Sequence, residues 1–170
     1  VNDTLPVAQY GLEYLYDMAT LAHITINVTE EDWNDFLSYY DQNPHNEEYI
    51  PASFEYEKRG EKFELDSIGI RLRGNTSRRR PEGGVGEIHS SNGDWHHAHF
   101  GVKFDEYVED QTFCTADRIY LKWHKDDANY CREVYSYDLF RRFGVWSAPR
   151  ACYTRLSIFV EGDDKPVYMG

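Results

Sequence analysis

Five of the twelve arginines fall within ten residues, Arg71, Arg73, Arg78, Arg79 and Arg80, in the stretch IGIRLRGNTSRRR. Gly74 permits a left-handed or closely approached backbone there, and Asn75, Thr76 and Ser77 add side-chain donors. A turn rich in donors and flanked by guanidinium groups has the chemistry of a phosphate or carboxylate site. Its spacing is not that of a Walker loop, since no GxxxxGK[ST] occurs. The competing reading is structural: these arginines pair with the acidic N-terminal region. The first fifty residues hold ten Asp or Glu and no Lys or Arg, a charge of −10 out of −12 for the whole chain.

A second feature is a carboxylate out of place. In the segment from about Ala128 to Phe143, the helical period puts Tyr130, Glu133, Tyr137 and Phe140 on one stripe. A carboxylate on an apolar stripe is costly unless a cation meets it. Arg132 and Arg141 point elsewhere on that helix, so the partner must come from a strand, with Lys103, Arg71 or Arg73 as candidates. Two readings stay open: an ion pair that ties helix to sheet, or a Lys–Glu pair that positions a phosphate, as in protein kinases. His96, His97 and His99 resemble a metal tract, but a glycine-rich loop holds ligand geometry poorly, and no metal ligands are assigned.

The elements that must position these residues follow from periodicity. Ala22–Val28 alternates and predicts a strand. Thr29 and Asp32 predict a capped helix from about Glu30 to Tyr40, with Trp33, Phe36, Leu37 and Tyr40 as its apolar stripe. Strands are predicted at 51–58, 62–65, 67–73, 100–104, 117–123, 151–161 and 166–169. A long loop covers about 75–97, a length that predicts a functional or mobile segment. The second helix should be capped by Asp127 and ended by Gly144. The fold class is therefore α+β, with a mostly antiparallel sheet and two principal helices. Residues 1–21 read as a lead-in with a short helical turn at 12–18, and residues 22–170 as one lobe cut within a hairpin at Gly170.

Bulk numbers narrow the function classes. A net charge of −12 and a pI near 4.9 argue against nucleic acid and anionic membranes as partners. No apolar run approaches the roughly 20 residues of a membrane span. Cys114, Cys131 and Cys152 lack zinc spacing and read mainly as small buried hydrophobes.

Taken together, IGIRLRGNTSR, VKFDEY and IYLKWHKDDANYCREVYSYDLFRRFGVWSAPR, followed by a strand returning at VYMG, resemble the CotH kinase family, proteins similar to the bacterial spore coat protein H. The likeness runs from about Ala22 to Gly170 and is densest at 68–77 and 117–150. It implies the N-terminal lobe of an atypical protein-kinase-like fold, which binds ATP with Mg²⁺ and phosphorylates Ser or Thr of a coat or surface protein. The implied location is secreted or cell-surface, including the spore coat. Carried over, Lys103 is the phosphate-facing lysine and Glu133 its helix partner. Arg71, Arg73 and Asn75 match the RGN turn, and Arg132 matches the first residue of the RE pair. Where the family carries further basic residues, this chain has His96-His97-Ala98-His99. The family's metal-binding aspartates would lie beyond Gly170, so the 170-residue chain alone is expected to be inactive and to need the C-terminal half as its partner. The alternative is a non-catalytic adhesion or scaffold domain of the same fold.

Overall fold

The computed structural model describes residues 10–170. Ten elements follow in chain order: α1 (Leu12–Leu15), β1 (Ala22–Val28), α2 (Glu30–Gln42), β2 (Ile50–Lys58), β3 (Glu61–Arg73), β4 (His99–Lys103), β5 (Arg118–Leu121), α3 (Arg132–Arg142), β6 (Thr154–Val160) and β7 (Val167–Tyr168). The strands form one curled, half-barrel sheet in the order β5-β4-β3-β2-β1-β6-β7. Every pairing is antiparallel except β1 with β6. The fold is thus α+β with a mostly antiparallel sheet and two substantial helices.

One face of the sheet is the core. Ile24 and Ile26 of β1, Phe54 and Tyr56 of β2, Ile68 and Ile70 of β3, and Phe100 and Val102 of β4 are all almost fully buried, as alternate positions on a pleated strand require. Phe54, Tyr56, Phe104 and Phe113 pack with ring centroids 4.9–6.3 Å apart. Trp33, Phe36 and Leu37 of α2 complete this core. Thr29 caps α2 by accepting from the Asp32 N–H at 3.1 Å, while its hydroxyl donates to the Asp32 carboxylate at 2.6 Å. The buried stripe makes α2 a structural helix, and truncation of Trp33 to Ala would cost about 3–5 kcal/mol.

Two predicted strands prove to be one. Residues 61–73 run continuously as β3, and a register shift against β2 between Ala52 and Phe54 absorbs the left-handed Ser67. The intervening Asp66 reads as a break because the local pattern loses its alternation at this bulge, where Ser67, the first residue of the second predicted strand, is left-handed.

The long loop is pinned rather than free. Arg80, 5% exposed, grips both oxygens of Asp41 on α2, from Nε at 2.8 Å and Nη2 at 3.1 Å, and also donates to the carbonyls of Glu82 and Glu87. Glu82, 1% exposed, accepts from Trp33 Nε1 at 2.8 Å, Ser90 N at 2.9 Å and His89 Nδ1 at 2.9 Å. Gly93 lies against the Glu82 carboxylate, where a Cβ would collide with it.

The second helix differs most from expectation. It starts at Arg132, four residues later than the predicted Ala128, because Tyr130 takes a left-handed conformation. Asp127 still serves it, with one carboxylate oxygen accepting from the Arg132 N–H at 2.6 Å, and Gly144 ends it at φ +81°. No residue of α3 is buried. The predicted apolar stripe therefore does not face a core, and Tyr130 and Phe140 are exposed. Cys131 is exposed as well, which corrects its reading as a buried hydrophobe; Cys114 is buried, and no cysteine is bridged.

Candidate functional site

A cleft of about 590 Å³ is lined by Arg118, Ile119, Tyr120, Leu121 and Lys122 in unbroken succession. Consecutive strand residues point to opposite faces. A cavity touching all of them must run along the edge of β5, which is the end strand of the sheet. Glu133, Val134 and Tyr137 of α3 form a second wall, and the extended run from Pro149 to Thr154 a third. Ala22, Ile24 and Leu15 supply an apolar floor.

The polar centre of this cleft is an ion pair between Lys122 Nζ and Glu133 Oε1. Tyr137 Oη donates to the same carboxylate oxygen at 3.0 Å. Partial burial pulls the Glu133 carboxyl upward, but the hydrogen bonds from Lys122 and Tyr137 outweigh it and hold the group below the usual carboxylate range. Glu133 therefore stays ionised and keeps Lys122 extended across the cleft. Behind the pair, His99 is held below the usual histidine range, first by burial and then by the charges of Lys122 and Arg73. It is neutral at pH 7, and its Nδ1 accepts from the Trp123 N–H at 3.0 Å.

The helix glutamate thus meets a cation from the sheet side, directly after β5, but not the expected strand residue. Lys103 is captured locally by Glu106 at 2.8 Å, with Asp105 at 3.8 Å, both in the turn that ends β4. Glu106 and Tyr49 fit there because Gly69, opposite Lys103 in the ladder, has no side chain. The Lys103–Glu133 pair is replaced by Lys122–Glu133. The signal was available: Lys122 follows the edge strand directly and precedes Glu133 by a short connection.

The other predicted site residues divide. Arg73 lies over the Tyr120 ring, 3.8 Å from its centroid, and lines the cleft. Arg71 turns away to Glu47 at 3.0 Å and lies over Tyr49, 5.2 Å from its centroid; its N–H groups are not aligned for hydrogen bonding, so this contact is an ion pair alone. Asn75 is exposed in the turn after β3, and Arg132 is exposed at the start of α3, contributing its backbone N–H to Asp127. Arg78 donates to the carbonyls of Gly74 and Asn46 at 2.9 and 2.8 Å. The arginine cluster is therefore dispersed, with Arg71, Arg78 and Arg80 all engaged by the acidic N-terminal region or its carbonyls. Only Arg73 and Glu133 of the six predicted residues meet in the cleft.

The histidine tract is dispersed too. His96 approaches Asp94 at 3.3 Å, and His97 stacks on Trp123 at 5.2 Å. Among the described residues, no group of three or more His, Cys, Asp or Glu is placed to hold a metal ion. No described helix is long and apolar enough to cross a membrane.

Compared with known proteins, the chain matches no family model, no curated protein and no solved structure.

Proposed function

We propose that the cleft beside β5 is the phosphate-binding site of a CotH-like, protein-kinase-like N-lobe, and that Lys122 takes the role first given to Lys103. The observation that carries this reading is the Lys122–Glu133 pair, a lysine just past the end of β5 held by a helix glutamate in a cleft with an apolar floor. Phosphoryl transfer depends on positioned charge more than on covalent chemistry. Lys122, oriented by Glu133, would donate to phosphate oxygens. Arg73 and Arg118 add positive charge to the same cleft, and the apolar floor suits a planar ring.

ATP fits this donor set through its anionic phosphates. Mg²⁺ finds no matching set here: Glu133 is the one carboxylate lining the cleft, and Lys122 occupies it. No step is derived through the metal, which a bound nucleotide would bring on its own phosphates. In this reading the lobe belongs to a secreted or cell-surface kinase acting on Ser or Thr of a protein partner. The alternative, a non-catalytic adhesion or scaffold domain, draws on a different observation: Tyr135, Phe143 and Trp146 are 63%, 79% and 87% exposed on and after α3.

Titration with MgATP distinguishes these residues. Lys122→Ala should weaken binding by about tenfold or more, the effect of losing one charge-assisted contact, and Glu133→Gln should weaken it in the same direction. Lys103→Ala should leave it unchanged. Absence of MgATP binding by the wild-type chain, or weakening by Lys103→Ala alone, overturns the assignment.

A further inference from the structure

The edge of β5 has a property that the phosphate reading does not use. Phe104 N–H donates to the carbonyl of Asp117 at 2.8 Å, which fixes the phase of the β4–β5 ladder. In an antiparallel pair, hydrogen-bonded residues alternate. Ile119 and Leu121 therefore bond to β4, opposite Val102 and Phe100, and the N–H and C=O of Arg118 and Tyr120 point outward along the open edge. Among the described residues, no hydrogen bond reaches those outward groups. Open edges are normally blunted by proline, a bulge or a covering segment. Here the edge is short, four residues, but it holds no proline, and it borders a cleft.

Two further features say what would sit there. The cleft has an apolar side, at Ile119 and Leu121, and a polar side, at Arg118 and Lys122, set by strand alternation. It is also cationic on an acidic protein: Arg73, Arg118, Lys122 and Arg150 line it with Glu133 as the one lining carboxylate, while the whole chain carries −12. Lys122 is paired with Glu133, Arg150 with Glu13 at 2.6 Å and Arg118 with Asp117 at 3.4 Å, but among the described residues Arg73 meets only the Tyr120 ring. A strand added beside β5 would show its side chains to these two sides in turn. Acidic residues suit one side and apolar residues the other.

We infer that the open edge of β5 binds an extended peptide of alternating acidic and apolar residues, which adds to the sheet as a further strand. The backbone ladder to Arg118 and Tyr120 supplies the attachment, and the period-two charge pattern supplies the selection. This inference needs no nucleotide and does not depend on Lys122 acting on phosphate.

The test uses the whole chain and a fluorescein-labelled peptide of sequence Glu-Val-Glu-Val-Glu-Val, followed by anisotropy at low salt. Saturable binding is expected. N-methylation of the alternate residues that face β5 removes the donors to the Arg118 and Tyr120 carbonyls and should weaken it at least roughly tenfold, while leaving the protein untouched. A Lys-Val-Lys-Val-Lys-Val peptide should fail to bind. Arg118→Pro removes an outward N–H without breaking the β4 ladder, and should weaken binding further than Arg118→Ala. Equal affinity of the N-methylated peptide, equal affinity of the lysine peptide, or no binding of the acidic peptide would each overturn the inference. MgATP binding that is lost in Lys122→Ala while peptide binding is absent would leave the phosphate site standing and remove the strand site alone.

Discussion

Arg80 illustrates how a functional-looking residue becomes structural. It is buried, paired with Asp41 through two nitrogens, and donates to two loop carbonyls. Replacing it by Met would leave the Asp41 carboxylate and both carbonyls without these donors. Breaking a buried pair on one side typically costs about 3–5 kcal/mol, so urea unfolding of Arg80→Met should show a loss of that order. The double change Arg80→Met with Asp41→Leu should recover part of it, because no uncompensated charge then remains. Equal losses in the single and double variants would show that the carboxylate is not the source of the cost. The sequence made this pairing legible only as a class, an acidic N-terminal region facing a basic turn. Strand alternation says which side Arg71, Arg73 and Lys103 occupy, yet not which neighbour reaches them first. Lys103 is taken by the nearby Glu106, a local contact that a search for long-range partners passes over.

At the scale of elements, the loop between β3 and β4 is tied to its surroundings through His89. The imidazole is 5% exposed and bridges Glu82, at 2.9 Å from Nδ1, and Asp163 after β6, at 3.3 Å from Nε2. Its backbone N–H also donates to Asn34 of α2 at 2.7 Å, and the Trp95 ring lies 6.3 Å away. Burial alone would lower the His89 pKa, but the two carboxylates outweigh it and raise it above the ordinary histidine value. A folded pKa above the unfolded one means that the protonated form is favoured by folding. The stabilisation is then complete below about pH 6.5, the unfolded value, and is lost as pH rises through the folded value. Above it, neutral imidazole donates to only one carboxylate. The melting temperature should fall between pH 6.5 and pH 9, and the fall should be shallower in His89→Gln; identical slopes would contradict the clasp. No sequence pattern marks His89 for this role, since its partners lie 7 and 74 residues away. The strands, by contrast, were legible because alternation survives without knowledge of partners. At β3 the pattern failed only where a bulge interrupts the pleat. In α3 the helical period was real, but a period identifies a common face and not what covers it.

Across the whole molecule, the two principal helices are attached in opposite ways, and this asymmetry governs how the fold opens. α2 buries Trp33, Phe36 and Leu37 into the aromatic core and is further fixed by Asp41–Arg80 and by the Trp33–Glu82 hydrogen bond. α3 buries nothing. It is held by the Lys122–Glu133 pair, by Asp127 at its first turn, and by the Tyr153 hydroxyl donating to the Tyr130 carbonyl at 2.6 Å just ahead of it. An exposed ion pair contributes about 0–1 kcal/mol, far less than three buried core side chains. Segments with few buried apolar contacts open locally well below the free energy of global unfolding. Hydrogen exchange should therefore rank the elements: amides of 132–142 should exchange at least roughly a hundredfold faster than those of 30–42, while β1, β2 and β3 exchange slowest of all. Lys122→Ala should accelerate 132–142 further and leave 30–42 unaffected, because the pair it removes touches only α3. Equal protection of the two helices would mean that α3 draws stability from a surface other than the contacts described, and the cleft would then be a rigid wall rather than one whose far side can move.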